Sequence, residues 1–237
     1  MNIQQLVEKS TPFLSYILDW HNHLEPTRMD TAVSGHPERV ALFAVDVTNG
    51  FCRQGPLASD RVAEIVDPTV SLFQLAHDHG VRHFILPQDT HTPDAAEFAA
   101  YPPHCIAGTP EAETVDELKQ LPFADEFLVM EKNGLHSAID TELNPWLDQH
   151  PEVYTYIVTG DCTDLCTHQL AMHLQVRAHT HNLSARVIIP VNCVQTYHMS
   201  VGQAAEIGAV PHEGDLLHIV FLYHMRLNGI EVVSGFE

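Results

Sequence analysis

Basic residues are scarce in this sequence: eleven lysines and arginines stand against 31 aspartates and glutamates, a formal charge of −20 over 237 residues. Such a chain repels phosphate backbones and anionic lipid headgroups, so neither nucleic acid nor a membrane is expected as a partner. Long apolar runs are also missing. No stretch approaches the roughly 18 apolar residues that a membrane span requires, and the opening MNIQQLVEKSTPFLSYILDW lacks the basic start and apolar core of a secretory leader. A cytoplasmic location is therefore expected. Five cysteines, at 52, 105, 162, 166 and 193, are odd in number and scattered. That excludes the dense pairing of a secreted disulfide scaffold and leaves reduced thiols, some of them free to react. Internal repeats and low-complexity segments are absent as well. With 45% hydrophobic residues, the chain can bury a full core, and its length fits one large domain.

What is present is a series of short apolar, β-branched runs: Val40 to Val47, Val81 to Pro87, Phe127 to Glu131, Tyr154 to Gly160, Arg186 to Pro190 and Leu217 to Leu222. They lack polar alternation, which predicts strands covered on both faces. Between them lie segments of helical spacing. Asp60 to Gly80 sets Val62, Ile65, Val66, Val70, Phe73 and Leu75 near one face and ends on glycine, and Asp164 to His179 is similar. The alternation predicts a three-layer αβα fold around a mostly parallel, roughly six-stranded sheet. Residues 1–38 precede the first run. Leu6, Phe13 and Ile17 make part of them amphipathic, and they read as a helical extension packed on a domain of residues 39–237.

In parallel α/β sheets, ligands bind beyond the carboxyl ends of the strands. The residues just past each run are Asp46, then Asp89 and His91, then Lys132, then Cys166. Cys166 follows VTGDCTDL, with Thr163 or Asp164 as the expected N-cap and the thiol in the first turn of the next helix. Unpaired backbone amides and the helix dipole favour a thiolate there, and the same amides can stabilise an oxyanion. The alternatives are a small buried hydrophobe, or a structural zinc site of Cys162, Cys166, His168 and His173, whose spacing is wrong for fingers and ribbons. A redox motif needs Cys-x-x-Cys, and here three residues intervene.

Asp46 ends an apolar run, so its carboxylate needs a partner; burial raises its pKa toward the range of proton transfer. It equally serves as a cap for the loop at Asn49 and Gly50. Lys132 is either a solvated lysine or the cation that holds Asp46 and Cys166 in ionised form. The stretch QDTHTPDAAEFAAYPPHC reads as a metal site. Asp89 and His91 point to one side of an extended segment, His104 returns after a loop, and Glu97 between them contributes directly or through water. Carboxylate and imidazole donors suit zinc, iron or manganese better than magnesium or calcium.

Taken in order, VDVTNGF, QDTH, YPPHCIAGTPEAE, EKNGLHSA and GDCTDLC resemble the nicotinamidase/pyrazinamidase branch of the isochorismatase-like cysteine hydrolases, from about Val40 to Tyr197. The resemblance implies a Rossmann-like fold and a triad of Asp46, Lys132 and Cys166. It implies one divalent transition metal, zinc first, on Asp89, His91 and His104, with Glu97 where some members place a fourth ligand. A cis peptide before Cys162 is implied too, turning the amides of Cys162 and Cys166 toward the oxyanion. Phe51 and Tyr101 match positions where aromatic rings flank the substrate, although each also reads as core packing. Thr90, Leu165 and Asn192 depart from the family pattern. The implied reaction is hydrolysis of nicotinamide to nicotinate and ammonia through a cysteine thioester, a step of NAD salvage, by a homo-oligomer acting on a small amide. The competing readings are a related amidase for carbamoyl or ureido compounds and a metal-binding partner protein without catalysis.

Overall fold

The computed structural model describes residues 1–237. Seven parallel strands form one sheet: β1 (Val40–Val45), β2 (His83–Asp89), β3 (Phe127–Lys132), β4 (Thr155–Asp161), β5 (Arg186–Pro190), β6 (Val194–Gln195) and β7 (Glu231–Val233). The spatial order is β3-β2-β1-β4-β5-β7, with β6 beside the end of β4. Six helices matter here: α1 (Ile3–Asn22), α2 (Val66–Asp78), α3 (Leu143–Gln149), α4 (Cys166–Thr180), α5 (Val201–Ile207) and α6 (Gly214–Leu227).

Strand periodicity builds the two cores. Along fully buried β1, Val40, Leu42 and Ala44 face one side, where they join Val66 and Phe73 of α2. Ala41, Phe43 and Val45 face the other, against Leu143 of α3, Leu170 and Leu174 of α4, and Leu222 of α6. The result is the three-layer arrangement expected from the sequence, but with seven strands rather than six. The expected strand at Leu217 to Leu222 is instead part of α6. A short apolar run fits a buried strand or a buried helix equally well. Here His218, Leu222 and Met225 fall on one helical face and are buried. The missing strands are β6 and β7, two and three residues long, too short to register as apolar runs.

Two other boundaries differ. The segment from Asp60 is not one helix: a turn at Asp60–Ala63 precedes α2. Pro68 sits in the first turn of α2, where no amide hydrogen is needed. β3 lies at the sheet edge, so Leu128 and Val129 are exposed rather than covered. At the N-terminus, α1 opens with a capping box between Asn2 and Gln5. It buries Ile17 and sets Phe13, Tyr16 and Trp20 edge-on around Tyr223 of α6, while Leu6 and Phe13 stay nearly half exposed.

Gly160 carries φ +115, and a Cβ there would stand 2.0 Å from the Val45 carbonyl oxygen. Neither left-handed backbone nor that overlap tolerates a side chain. We expect Gly160→Ala to destabilise the fold by at least about 3 kcal/mol, read as a fall in the midpoint of urea unfolding. An unchanged midpoint would mean that β1 and β4 can separate at this point without cost.

Candidate active site

The first three strands of the spatial order, then β4, bring their carboxyl ends together. At the end of β1, Asp46 adopts φ +55, a left-handed conformation that costs a non-glycine residue about 1–3 kcal/mol. That turn folds its carboxylate back over β2, where Oδ1 accepts a hydrogen bond from the Asp89 amide at 2.7 Å. Asp89 and Lys132 are register partners on β2 and β3. The Lys132 ammonium lies 2.5 Å from Asp89 Oδ1, 2.8 Å from Asp46 Oδ2 and 3.7 Å from Cys166 Sγ. All four side chains are buried. One lysine is thus shared by two carboxylates and a thiol.

The electrostatics follow from that sharing. Burial first, then the charge of Asp89, pushes the Asp46 carboxyl up to about 6, with Lys132 pulling against both. Burial disfavours the Asp89 carboxylate too, but the Lys132 charge beside it holds it well below the usual carboxylate range. Burial alone would lower the Lys132 ammonium; Asp46 and Asp89 instead raise it well above the ordinary lysine range. For Cys166 the expected thiolate is not what the environment favours. Burial pushes its thiol well up, and Lys132 only partly offsets this. The helix dipole is too weak to overcome full desolvation, so the resting group is a thiol that needs a base.

Cys166 is the first residue of α4, but the residue before it, Leu165, is the N-cap, and it makes no side-chain capping bond. The expected caps are engaged elsewhere. Thr163 Oγ1 pairs with His218 Nδ1 at 2.8 Å. Asp164 accepts from Thr196 Oγ1 at 2.6 Å and pairs with His212 Nε2 at 2.7 Å. The peptide between Asp161 and Cys162 is cis. Neither the Cys162 nor the Cys166 amide has an acceptor within the chain, so both are available to an oxyanion.

Beside Asp89 lies a second cluster. One donor atom from each of Asp89, His91, Glu97 and His104 falls within 4.8 Å of all the others. His104 Nδ1 faces the Pro102 carbonyl at 2.9 Å and His91 Nδ1 faces Asn133 Oδ1 at 3.3 Å. Each Nδ1 therefore carries the proton, and each Nε2 turns a lone pair toward Asp89 Oδ2, at 3.7 and 3.5 Å. Asp89 Oδ2 and His91 Nε2 are buried without a hydrogen-bond partner. Unpaired buried acceptors facing one another fit a cation between them, and imidazole with carboxylate fits a divalent transition metal. Another cluster, His83, His150 and Glu152, lies at the opposite, N-terminal end of the sheet, where His83 opens β2.

Asp46, Asp89, Glu97, His104 and Cys166 line a cavity of about 460 Å³, within the range of small-molecule sites. Phe51 and Tyr101 both line it, 5.5 and 6.3 Å from the His104 ring. Its outer wall is the segment Tyr197–Met199 and Ala209–His212, tied down by a Met199–His212 bridge and by Tyr197 stacked on His212 at 4.0 Å. Sequence reasoning missed this wall, its tie to Asp164, and one lining carboxylate, Asp161. Asp161 carried the same signal as Asp46, an acid at the end of an apolar run.

Residues 40–214 match the Isochorismatase domain. Nicotinamidase 1 of Arabidopsis thaliana is 32% identical over 213 residues, 82% of this chain and 85% of that one. The nicotinamidase/pyrazinamidase of Mycobacterium tuberculosis is 30% identical over 164 residues, 63% of this chain and 83% of that one. Among solved structures, nicotinamidase PncA from Bacillus subtilis superposes with a TM-score of 0.63 at 25% identity, over 82% of this chain and 99% of that one. The chain therefore belongs to the isochorismatase family of hydrolases, on the branch that holds the nicotinamidases.

Proposed function

We propose that the protein hydrolyses nicotinamide to nicotinate and ammonia through a thioester on Cys166. One observation carries this reading: a single buried ammonium, Lys132, lies 2.8 Å from Asp46 and 3.7 Å from Cys166, and both of these residues line a cavity that Asp89, Glu97 and His104 of the second cluster also border. Asp46, with its carboxyl near 6, is mostly ionised at neutral pH and takes the thiol proton of Cys166. Lys132 stabilises the thiolate and carboxylate in turn. The sulfur attacks the carboxamide carbon, and the oxyanion is received by the amides of Cys162 and Cys166. Asp46 returns its proton to the nitrogen as ammonia leaves, then deprotonates the water that cleaves the thioester.

Asp89, His91 and His104, with Glu97, would hold a divalent transition metal, zinc first. When bound, it supplies a Lewis acid that coordinates a pyridine nitrogen and orients the ring. Phe51 and Tyr101, which both line the cavity, would flank that ring. Residues 1–38 serve as a helical extension of a single catalytic domain, residues 39–237.

Ammonia release tests the reading. Purified protein is expected to act on nicotinamide, to lose at least about tenfold in rate after chelation, and to recover with zinc. Turnover of ureido compounds but not nicotinamide would redirect the assignment to a carbamoyl substrate. Nicotinamide turnover that ignores a chelator, in protein without bound metal, would remove the metal from the account.

A further inference from the structure

Asp161 is the last residue of β4 and is 1% exposed, yet it forms no ion pair with any basic group. Lys132, the buried cation nearby, is already committed to Asp46 and Asp89. Asp161 Oδ2 meets only the Cys162 thiol, at 3.7 Å, and Oδ1 has no partner at all. Four residues after Ile157 along the strand, it points to the same face, toward the Phe51 and Val62 wall of the cavity. Burial, with the negative charges of Asp46 and Asp89, raises its carboxyl well above the usual range. A buried acceptor left bare costs about 1–3 kcal/mol. An aliphatic side chain would fill the same strand position without that penalty.

We propose that Asp161 is a specificity residue of this cavity: its free carboxyl oxygen accepts a hydrogen bond from the N–H of the carboxamide that Cys166 attacks, and so selects amides over esters of the same acyl group. This rests on the amidase reading above and adds the contact that recognises the leaving nitrogen. With the carbonyl oxygen on the Cys162 and Cys166 amides, the NH₂ group must turn toward the carboxylate side of the cavity. Asp46 there carries protons, and Asp161 beside it fixes the amide plane. An ester offers no N–H and gains nothing from Asp161. A site built around a polar group discriminates strongly against an analogue that leaves that group unpaired.

The test compares nicotinamide with methyl nicotinate in the wild type, Asp161→Val and Asp161→Asn. Valine should lower kcat/KM for the amide by at least about tenfold, mostly through KM, and for the ester by less than about threefold. Asparagine keeps an acceptor oxygen and should return the amide to within about threefold of the wild type. Equal losses on amide and ester in Asp161→Val would reduce Asp161 to a packing role, and an Asp161→Asn enzyme as poor as Asp161→Val would overturn the acceptor assignment. Wild-type inactivity on nicotinamide would refute the substrate reading alone. The same comparison, run on the carboxamide and methyl ester of the acyl group that is hydrolysed, would still decide the role of Asp161.

Discussion

Cys166→Ala is expected to lower the proposed release of ammonia from nicotinamide by at least about 10⁴-fold while leaving the fold unchanged. The expectation follows from how little the rest of the site can do without sulfur. On the proposed mechanism the Cys162 and Cys166 amides would still receive an oxyanion and Asp46 would still move protons, but no covalent step would divide the reaction. Attack then falls to water, a weaker nucleophile with no positioned place in the cavity. The substitution removes a buried sulfur at the head of α4 from a position that is 4% exposed, so its effect on stability is that of a small cavity. Rate and melting temperature, measured on one preparation, separate the two. A Cys166→Ala enzyme with wild-type turnover would show that ammonia release does not pass through a thioester on this residue.

Lys132→Met should abolish activity and, in addition, destabilise the protein by about 3–5 kcal/mol. The methionine fits the volume but removes the cation that neutralises Asp46 and Asp89, leaving two buried carboxylates linked by one backbone hydrogen bond. Removing a charge from one of them should repair the fold without repairing the chemistry. Lys132→Met combined with Asp46→Asn is expected to regain more than half of the lost stability and none of the turnover. Urea unfolding of the single and double variants, with the chelated protein as reference, measures this coupling directly. If the double variant is no more stable than Lys132→Met, the lysine is not the counter-ion of Asp46.

The parts of the fold that were legible in the sequence are those where an apolar run stops on a charged residue. FAVD, LPQD and VMEK each end a strand and deliver Asp46, Asp89 and Lys132 to the same edge, because parallel strands all finish on one side. Phe51, Tyr101, Glu97 and His104 lie around the same cavity or cluster. What was not legible depends on distance across the chain. Nothing local distinguishes the helix at Leu217 to Leu222 from a strand. Nothing in TGDCTDL reveals that Asp164 is drawn away from capping by Thr196 and His212, more than thirty residues downstream. The same holds for Lys132, whose local setting gives no sign that it also pairs with Asp89. The expected thiolate is opposed by its surroundings for a related reason. Helix-start position is local, whereas the desolvation that raises the Cys166 thiol comes from burial by the whole fold.

Asp89 and Lys132 face each other as register partners, and Asp46 and Cys166 follow the next two strands in the spatial order. The interstrand repeat, about 4.8 Å, is therefore the ruler against which the site is cut. Loops joining these strands can lengthen or shorten over generations without disturbing the reacting atoms, since the sheet and not the connecting chain sets their separation. A single residue gained or lost inside β3 is a different matter. It turns Lys132 to the opposite face, and no later substitution short of restoring the frame of that strand brings the ammonium back.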